Sequence, residues 1–485
     1  MQSGKPQLAV RALQGVIAHA ERSLPTVVIY AQALAMLNQH ERAARYYGLA
    51  VKLQPQNARL RTELALSLKH TGDPRAALDQ IQQARKSEPW YPKSAMVEAE
   101  ILIDLDRADE ALDALDSFER EAPAEAKSAP STAMLLITKS RLAPKYVAPD
   151  AILGELQKLA ADSAVHPKQR SLLLARAGEM LDKLGRFDEA MDTIVESKKM
   201  RGLPWDAQAH TGRVRACVSA WTSDRAKELP ASGVDGSPMV FILGMPRSGS
   251  SLLEQMLARH PAIQALGERN DVNFAAAAIQ PPALGEKPMV TDVTMLTEEK
   301  CERCAQGIDK TIRSLRNSGT RFTLDKQPFN FVHVPLLARL LPGCRVLHTV
   351  RDPRDVAVSY CMQWFMEDHG QANSMETLGQ YYRDYWSMMN EWERLSSPNQ
   401  RPEMMQVRYE RVVSDPEEVM REVLGFLGLE FDSSVLDHTQ TDRTIVTASR
   451  DQVKEGLYTT SVNRWKRYEK HLAPFVEHVR EFLED

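Results

Sequence analysis

The chain has 485 residues, which allows two to four domains at roughly 100–200 residues per domain. Its 43% hydrophobic and 26% charged residues exclude a chain that is disordered throughout. The formal net charge of −4 argues against a broadly basic nucleic-acid-binding protein, and five cysteines argue against a disulfide scaffold. No apolar run approaches the ~18 residues of a membrane span, and the first residues lack a signal-peptide core. We therefore expect a cytoplasmic protein that binds neither nucleic acid nor a membrane.

The amino-terminal part contains a 34-residue repeat in three copies. Each copy has the apolar spacing of two amphipathic helices joined by a short turn. The matched positions are Ala31, Ala65 and Ala99; Leu34, Leu68 and Leu102; Ala43, Ala77 and Ala111; Tyr47, Ile81 and Leu115; and Pro55, Pro89 and Pro123. A looser copy covers residues 176–197. This register resembles the tetratricopeptide repeat, which implies an all-α solenoid of helix pairs over residues 1–225.

The repeats and the rest of the chain are predicted to form separate domains. The concave face of a solenoid can hold a polypeptide or a second subunit, or the solenoid can be a scaffold that packs on the other domain; the sequence leaves both open. Residues 226–237, in a stretch rich in proline, glycine and small polar residues, are interpreted as a linker. Short apolar runs then alternate with helical stretches, which predicts a parallel α/β domain over residues 238–485.

A glycine-bounded loop opens this second domain. Residues 239–243 form a short apolar run typical of a buried parallel strand, and the loop GMPRSGSS at 244–251 leads from it into a helical stretch. Strand, loop and helix amino terminus together predict an anion site. Ser250 stands where a nucleotide phosphate loop has its lysine, and the cation comes earlier as Arg247. This substitution favours an anion bound without Mg²⁺ and makes a kinase the least favoured interpretation.

A second cluster of polar residues follows the strand predicted at residues 345–350. Asp352 is a suitable N-cap and Pro353 a suitable first helical residue, which places Arg351 at the strand end and Ser359 two turns into the helix. Alone, this segment also fits a capped helix with surface charges. Because open α/β sheets bind ligands at the carboxyl ends of their strands, two such clusters predict one anion-binding edge.

Three segments together resemble the sulfotransferases that use 3′-phosphoadenosine 5′-phosphosulfate (PAPS). They are the GMPRSGSS loop at 244–251, the RDPRDVAVS segment at 351–359 and the NRWK segment at 463–466. Within that superfamily the chain is most similar to protein-tyrosine sulfotransferases and to bacterial proteins with a tetratricopeptide array in front. The resemblance covers residues 238–485 and implies a P-loop-like parallel-sheet sulfotransferase domain.

The resemblance implies a binding site for PAPS and a set of catalytic residues. The 5′-phosphosulfate would be held by Arg247, Ser248, Gly249, Ser250 and Ser251, the 3′-phosphate by Arg351 and Ser359, and the nucleotide would be lined by Tyr409. Glu268 matches the catalytic base, and Lys326, Arg247 and Ser449 would stabilise the moving charge. A base is reasonable because a phenol with a pKa near 10 is mostly protonated at neutral pH. No metal is expected, and the lone pair Cys301 and Cys304 lacks the further ligands of a zinc site.

The favoured hypothesis is a two-domain enzyme that transfers a sulfuryl group in line from PAPS to a hydroxyl. The favoured acceptor is the phenol of a tyrosine in a protein or peptide. One alternative keeps the reaction and changes the acceptor to a sugar or small-molecule hydroxyl. Another is a repeat-based scaffold whose catalytic domain binds nucleotide but is inactive. The acceptor, a protein partner of the solenoid and a homodimer are left open by the sequence.

Overall fold

The computed structural model describes residues 6–15, 17, 23–37, 39–143, 145–283, 285–365, 369–395, 401–437 and 461–483. It divides into two compact units, Met1–Arg201 and Gly202–Asp485.

The first unit is helical throughout its regular structure. Its α-helices are α1 (Pro6–Gln14), α2 (Leu24–Met36), α3 (His40–Leu53), α4 (Ala58–His70), α5 (Pro74–Ser87), α6 (Pro92–Asp104), α7 (Ala108–Glu121), α8 (Ala129–Lys139), α9 (Pro149–Ala161), α10 (Pro167–Lys183) and α11 (Phe187–Arg201). The pairs α2/α3, α4/α5 and α6/α7 repeat with the 34-residue period read from the sequence, and successive helices pack on each other. The predicted all-α, tetratricopeptide-like arrangement is confirmed.

Small side chains and capped turns explain why these pairs form. The repeated alanines, such as Ala65 and Ala77, are fully buried where the two helices of a pair cross. Asp73 caps α5 by accepting a hydrogen bond from the Ala76 N–H at 3.0 Å. In the looser copy, a Cβ at Gly178 would overlap the Ile194 side chain, so α10 and α11 approach closely because this position has no side chain.

The second unit is built on a five-stranded sheet. Its strands are β1 (Met239–Gly244), β2 (Ile263–Ala265), β3 (Phe322–Lys326), β4 (Arg345–Val350) and β5 (Glu403–Arg408). Its α-helices are α12 (Ala207–Thr222), α13 (Asp224–Lys227), α14 (Ser250–Leu257), α15 (Asp271–Ile279), α16 (Glu298–Leu315), α17 (Val334–Leu340), α18 (Pro353–Met362), α19 (Met375–Arg394), α20 (Tyr409–Ser414), α21 (Pro416–Leu427) and α22 (Ala473–Val479).

All strand pairs in this sheet are parallel, and the strand order is β2-β3-β1-β4-β5. The central strand β1 is buried along its whole length, as its apolar sequence predicts. After β1 the chain builds one side of the sheet with β2 and β3 and then crosses to the other side for β4 and β5. Such a reversal opens a crevice at the carboxyl ends of the strands, which is where open α/β sheets bind ligands. The predicted parallel α/β fold is confirmed.

The segment 226–237, predicted as a linker, is hydrogen-bonded to the end of α17. The Ser232 N–H donates to the Arg339 carbonyl at 2.8 Å, and the Gly236 N–H donates to the Pro342 carbonyl at 2.8 Å. The buried Arg339 guanidinium donates in return to the Ala226 carbonyl at 2.6 Å. The segment is therefore irregular in backbone but fixed in place.

Helix α12, which the sequence analysis grouped with the repeats, lies in the second compact unit. The Thr211 hydroxyl donates a hydrogen bond to Asp384 Oδ2 of α19 at 2.6 Å, and Trp221 Nε1 donates to the Val290 carbonyl at 3.0 Å. The second unit thus extends upstream of residue 226, while the domain boundaries themselves stay a prediction.

Candidate active site

All five strands end at the same edge of the sheet, and each leads into a predicted site residue. In sheet order these residues are Glu268 shortly after β2, Lys326 as the last residue of β3, Arg247 in the loop after β1, Arg351 directly after β4 and Tyr409 directly after β5. The predicted residues therefore form one row across the carboxyl edge of the sheet.

The loop at 244–251 is held in an unusual backbone conformation. Gly244, Arg247 and Gly249 have φ values of 144°, 76° and 97°, a region that side chains disfavour. A Cβ at Gly249 would overlap the Tyr409 ring. Ser248 is buried, its hydroxyl shares a 2.7 Å hydrogen bond with the Thr349 hydroxyl, and its N–H donates to the Met245 carbonyl at 3.2 Å. The loop conformation is thus fixed by Thr349 on β4 and by Tyr409 directly after β5.

Helix α14 begins at the end of this loop. Ser250 and Ser251 are its first two residues, and both are buried. The Leu253 N–H donates to the Gly249 carbonyl at 3.1 Å, so the amides before it lie in the turn that has no intrahelical partner. These amides and the positive end of the helix dipole form a cradle for an anion.

Arg247 connects the two predicted anion clusters. Its Nε donates a hydrogen bond to the Ser359 hydroxyl oxygen at 2.9 Å, and its carbonyl accepts one from Arg351 Nη1 at 3.3 Å. The loop after β1 and the helix after β4 are separate in sequence by more than a hundred residues. The structure therefore brings together Arg247, Arg351 and Ser359.

Arg351 is buried among groups that hold its guanidinium in place. It donates to the Ser461 carbonyl, lies 3.6 Å from Asp355 Oδ2 and stacks on the Tyr409 ring with Cζ 4.6 Å from the ring centroid. Among the residues that the structure describes, its Nε has no hydrogen-bond partner. A phosphate oxygen is an acceptor that suits such an arginine donor.

Tyr409 and Ser461 complete this part of the site. The two hydroxyls share a 2.6 Å hydrogen bond, so Ser461 touches both Tyr409 and Arg351. The sequence analysis did not identify Ser461 or Thr349 as site residues. A serine in a polar segment and a threonine in a strand do not by themselves indicate a binding site. The contacts are visible only in three dimensions.

Asp355 joins two of the three motifs that carry the family resemblance. Its carboxylate accepts hydrogen bonds from the Asn463 N–H at 2.8 Å and the Trp465 N–H at 2.9 Å, and burial raises its pKa. The neighbouring Arg354 stacks on the Trp465 ring with Cζ 3.8 Å from the centroid. The segment around Trp465 is therefore fixed to α18, beside the proposed nucleotide site. Asp352 caps α18 by accepting from the Arg354 N–H at 2.8 Å, as predicted.

Glu268 and Lys326 contact each other at the other end of the row. Lys326 Nζ donates a hydrogen bond to Glu268 Oε1. The lysine side chain is 1% exposed, whereas the glutamate side chain is 42% exposed. A buried cation thus lies behind a carboxylate that faces solvent, where an acceptor hydroxyl can reach it.

The remaining predictions concern Ser449 and the cysteines. Ser449 lies outside the described residues. Cys301 and Cys304 are buried in α16, where their thiols donate to the Arg339 carbonyl at 3.4 Å and the Ala275 carbonyl at 3.8 Å. Burial raises the pKa of Cys301 to about 11, which keeps its thiol protonated at neutral pH.

The described part of the chain contains neither a metal-ligand cluster nor a membrane-spanning helix. No group of three or more histidine, cysteine, aspartate or glutamate side chains there is arranged to hold a metal ion. No helix there is both long and apolar enough to cross a membrane.

Comparisons with known proteins identify the second unit. The model of the sulfotransferase family matches residues 238–433. A protein of Aquifex aeolicus (strain VF5), described as uncharacterized, is 30% identical over 345 residues, which are 69% of this chain and 45% of that protein. Protein-tyrosine sulfotransferase 2 of Gallus gallus is 24% identical over 244 residues, which are 47% of this chain and 63% of that enzyme.

Among solved structures, the sulfotransferase domain of the Synechococcus PCC 7002 olefin synthase matches with a TM-score of 0.39 and 21% identity, over 52% of this chain and 96% of that domain. The chain spans about half of the length of the Aquifex aeolicus protein and about two thirds of the length of the Gallus gallus enzyme. Residues 238–433 form a domain of the sulfotransferase family, homologous to protein-tyrosine sulfotransferases.

Proposed function

We propose that this protein is a sulfotransferase that moves a sulfuryl group from PAPS to an acceptor hydroxyl. The observation that carries the proposal is the row of five residues across the carboxyl edge of the sheet, within a domain of the sulfotransferase family. One end of the row offers arginines and a helix amino terminus for phosphates, and the other offers a paired carboxylate and ammonium for transfer.

The co-substrate site is proposed at the loop and the Arg351 cluster. The 5′-phosphosulfate would lie on the loop amides and the start of α14, beside Arg247, Ser248, Gly249, Ser250 and Ser251. The 3′-phosphate would receive hydrogen bonds from Arg351 and Ser359. The buried Arg351 Nε, which lacks a partner among the described residues, fits that role. Because Arg247, Lys326 and Arg351 supply the positive charge, we expect no metal requirement.

The transfer is a direct displacement at sulfur. The acceptor oxygen forms the new bond to sulfur while the bond from sulfur to the bridging phosphate oxygen breaks, and that electron pair leaves on the 5′-phosphate. Glu268 takes the acceptor proton. Lys326 and Arg247 stabilise the negative charge that develops on the bridging and transferring oxygens, and Ser449 is assigned to the same task by the resemblance alone.

A tyrosine phenol is the proposed acceptor, rather than a sugar or small-molecule hydroxyl. A cluster of aromatic rings begins three residues after Lys326: the ring centroids of Phe329 and His369 are 5.5 Å apart, and those of Phe365 and His369 are 4.2 Å apart. Phe329 and Phe365 are half-buried, and an exposed lysine, Lys287, lies with Nζ 4.3 Å from the Phe329 centroid. Partly open rings of this kind favour stacking with an aromatic acceptor.

The tetratricopeptide-like unit is proposed to bind a polypeptide, either the acceptor or a partner protein, because stacked helix pairs present extended surfaces. We also propose a cytoplasmic location. All five cysteines of the chain are buried and outside any disulfide, as expected in a reducing compartment.

Calorimetry with the product nucleotide, 3′-phosphoadenosine 5′-phosphate (PAP), tests the proposed nucleotide class. In EDTA we expect Kd on the order of micromolar for the wild type and binding that is about 10- to 100-fold weaker in Arg351→Ala, because the variant loses charge-assisted hydrogen bonds to a phosphate. Arg345→Ala is the control, since Arg345 lies at the opposite end of β4. Its Nε is 3.5 Å from Glu403 Oε2. A preference for ATP with Mg²⁺, or equal losses in both variants, would contradict the proposal.

A further inference from the structure

We propose that Glu254 and Asp325 are positioning residues, whose buried carboxyl groups hold the base Glu268 in place between the phosphosulfate loop and Lys326. This inference rests on the proposed function, because it concerns the base of that reaction. Neither residue has a place in the motifs that carry the family resemblance.

The two carboxyl groups bind the backbone amides on either side of Glu268. Glu254 Oε1 accepts a hydrogen bond from the Gly267 N–H at 3.1 Å, and Asp325 Oδ1 accepts one from the Arg269 N–H at 3.3 Å. Glu254 is 2% exposed and Asp325 is 3% exposed. Glu268 itself is exposed, and apart from the bond to Lys326 its position is set by the amides of its two neighbours.

The backbone at this point needs such anchors because the strand has already ended. The Leu266 N–H donates to the Leu324 carbonyl at 2.8 Å, and the Lys326 N–H donates to the Gly267 carbonyl at 3.0 Å. These bonds continue the pairing of β2 with β3 as far as Gly267, which has a φ of 75° and turns the chain away. At this point the carboxyl groups of Glu254 and Asp325 accept hydrogen bonds from the amides that regular pairing no longer satisfies.

Each of the two carboxyl groups belongs to an element that carries another part of the site. Glu254 is the fifth residue of α14, the helix that begins at Ser250 at the end of the loop. Asp325 directly precedes Lys326 on β3. The base is therefore tied on one side to the element proposed to hold the phosphosulfate and on the other side to the strand that carries the cation. A displacement of about 1 Å in such an arrangement costs on the order of 100-fold in rate.

Burying two carboxyl groups is costly, and this cost argues that they do more than fill space. Burial raises the pKa of Asp325 to about 8, and the nearby Glu254 and Asp271 add to the effect, while Arg269 opposes it. An apolar residue of similar size would avoid the cost but would leave a buried amide without an acceptor. The two carboxyl groups are thus suited to orienting the backbone that carries Glu268.

Variants of Glu254 separate orientation from general stability. Glu254→Gln keeps an acceptor oxygen for the Gly267 amide, and we expect kcat within about 3-fold of the wild type. Glu254→Asp keeps the carboxyl group but withdraws it by one methylene, and Glu254→Leu removes it. For these two we expect kcat to fall about 10- to 100-fold, with the Kd for PAP within about 3-fold of the wild type.

Thr323→Val is the control for a lost buried hydrogen bond. Thr323 lies at the start of β3, where its hydroxyl donates to the Pro238 carbonyl at 3.4 Å, far along the strand from the proposed site. We expect no change in its kcat. Equal kcat losses in Thr323→Val and Glu254→Asp, or equal losses in Glu254→Gln and Glu254→Asp, would overturn the proposal.

Amide hydrogen exchange gives a readout that does not depend on turnover. The Gly267 amide should exchange faster in Glu254→Asp than in the wild type or in Glu254→Gln, and unchanged protection in Glu254→Asp would overturn the proposed clamp. If the wild-type protein formed no sulfated product with any acceptor, the proposed function would fail, while the exchange data would still decide whether Glu254 holds this segment.

Discussion

Lys326 Nζ donates a hydrogen bond to Glu268 Oε1, so the residues proposed as cation and base touch each other where β3 and β2 end. The pair lies at one end of the sheet edge, and the arginines proposed to bind phosphate lie towards its middle. On the proposed mechanism the ammonium leaves the carboxylate for the leaving oxygen as Glu268 takes up the acceptor proton. Because the two side chains touch, we expect a variant of either residue to affect the other.

Glu268→Gln should lower kcat by about 100- to 10,000-fold and change the Kd for PAP by less than about 3-fold, because the amide cannot accept the acceptor proton. Steady-state kinetics and calorimetry measure the two quantities. Glu299→Gln is the matched control, since Glu299 is an exposed glutamate on α16. A kcat equal to the wild type in Glu268→Gln would remove Glu268 from the mechanism.

Gly249→Ala should abolish PAP binding and lower the free energy of unfolding by about 1–3 kcal/mol. Gly249 has a φ of 97°, and the new Cβ would overlap the Tyr409 ring, so both the backbone and the ring would have to move. Gly425→Ala is the control: it lies within α21, nothing lies near its Cβ position, and alanine should be neutral or stabilising there. Full PAP affinity in Gly249→Ala would show that the loop conformation is not needed.

Asp325 predicts a specific pH dependence of stability. Burial raises its pKa to about 8 in the folded protein, so between about pH 4 and about pH 8 the folded state binds the proton that the unfolded state has lost. The contribution of Asp325 to the free energy of unfolding must therefore fall as the pH rises through this range. Asp325→Asn should have a flatter profile in urea unfolding. An unchanged slope in the variant would contradict the raised pKa.

Phe329→Ala should raise KM for a phenolic acceptor by about 10-fold and leave KM for PAPS unchanged, because it removes a ring proposed to stack on the acceptor. Phe431→Ala is the matched control, as Phe431 is a half-buried phenylalanine that packs with Arg421, its ring centroid 3.8 Å from the guanidinium carbon. Initial rates at varied acceptor concentration measure the effect. An equal change in both variants would assign the loss to packing and not to acceptor binding.

Much of the fold could be predicted because its determinants are local in the sequence. The 34-residue period follows from side chains that recur on one helix face, and the starts of α2, α4 and α6 reproduce it. The strand before the loop and the cap at Asp352 likewise depend on a few adjacent residues. The row of site residues followed from parallel strands that end at one edge.

The contacts that fix the site could not be predicted in this way. The hydrogen bond between Glu254 and Gly267 joins residues 13 apart in the chain, that between Ser248 and Thr349 joins residues 101 apart, and Ser461 reaches Arg351 across 110 residues. No local pattern encodes such partners. In the same way, the composition of residues 226–237 predicts an irregular backbone but does not predict its hydrogen bonds to the end of α17.

The most direct test of the central claim is to look for the transfer itself. The wild-type protein and Glu268→Gln would each be incubated with PAPS and with tyrosine peptides, phenolic metabolites and glycans, and both PAP and sulfated product would be quantified by mass spectrometry. We expect equal amounts of PAP and sulfated phenol from the wild type and almost none from the variant. Sulfated glycan in place of sulfated phenol would contradict the proposed acceptor, and PAP binding without product from any acceptor would contradict the enzyme.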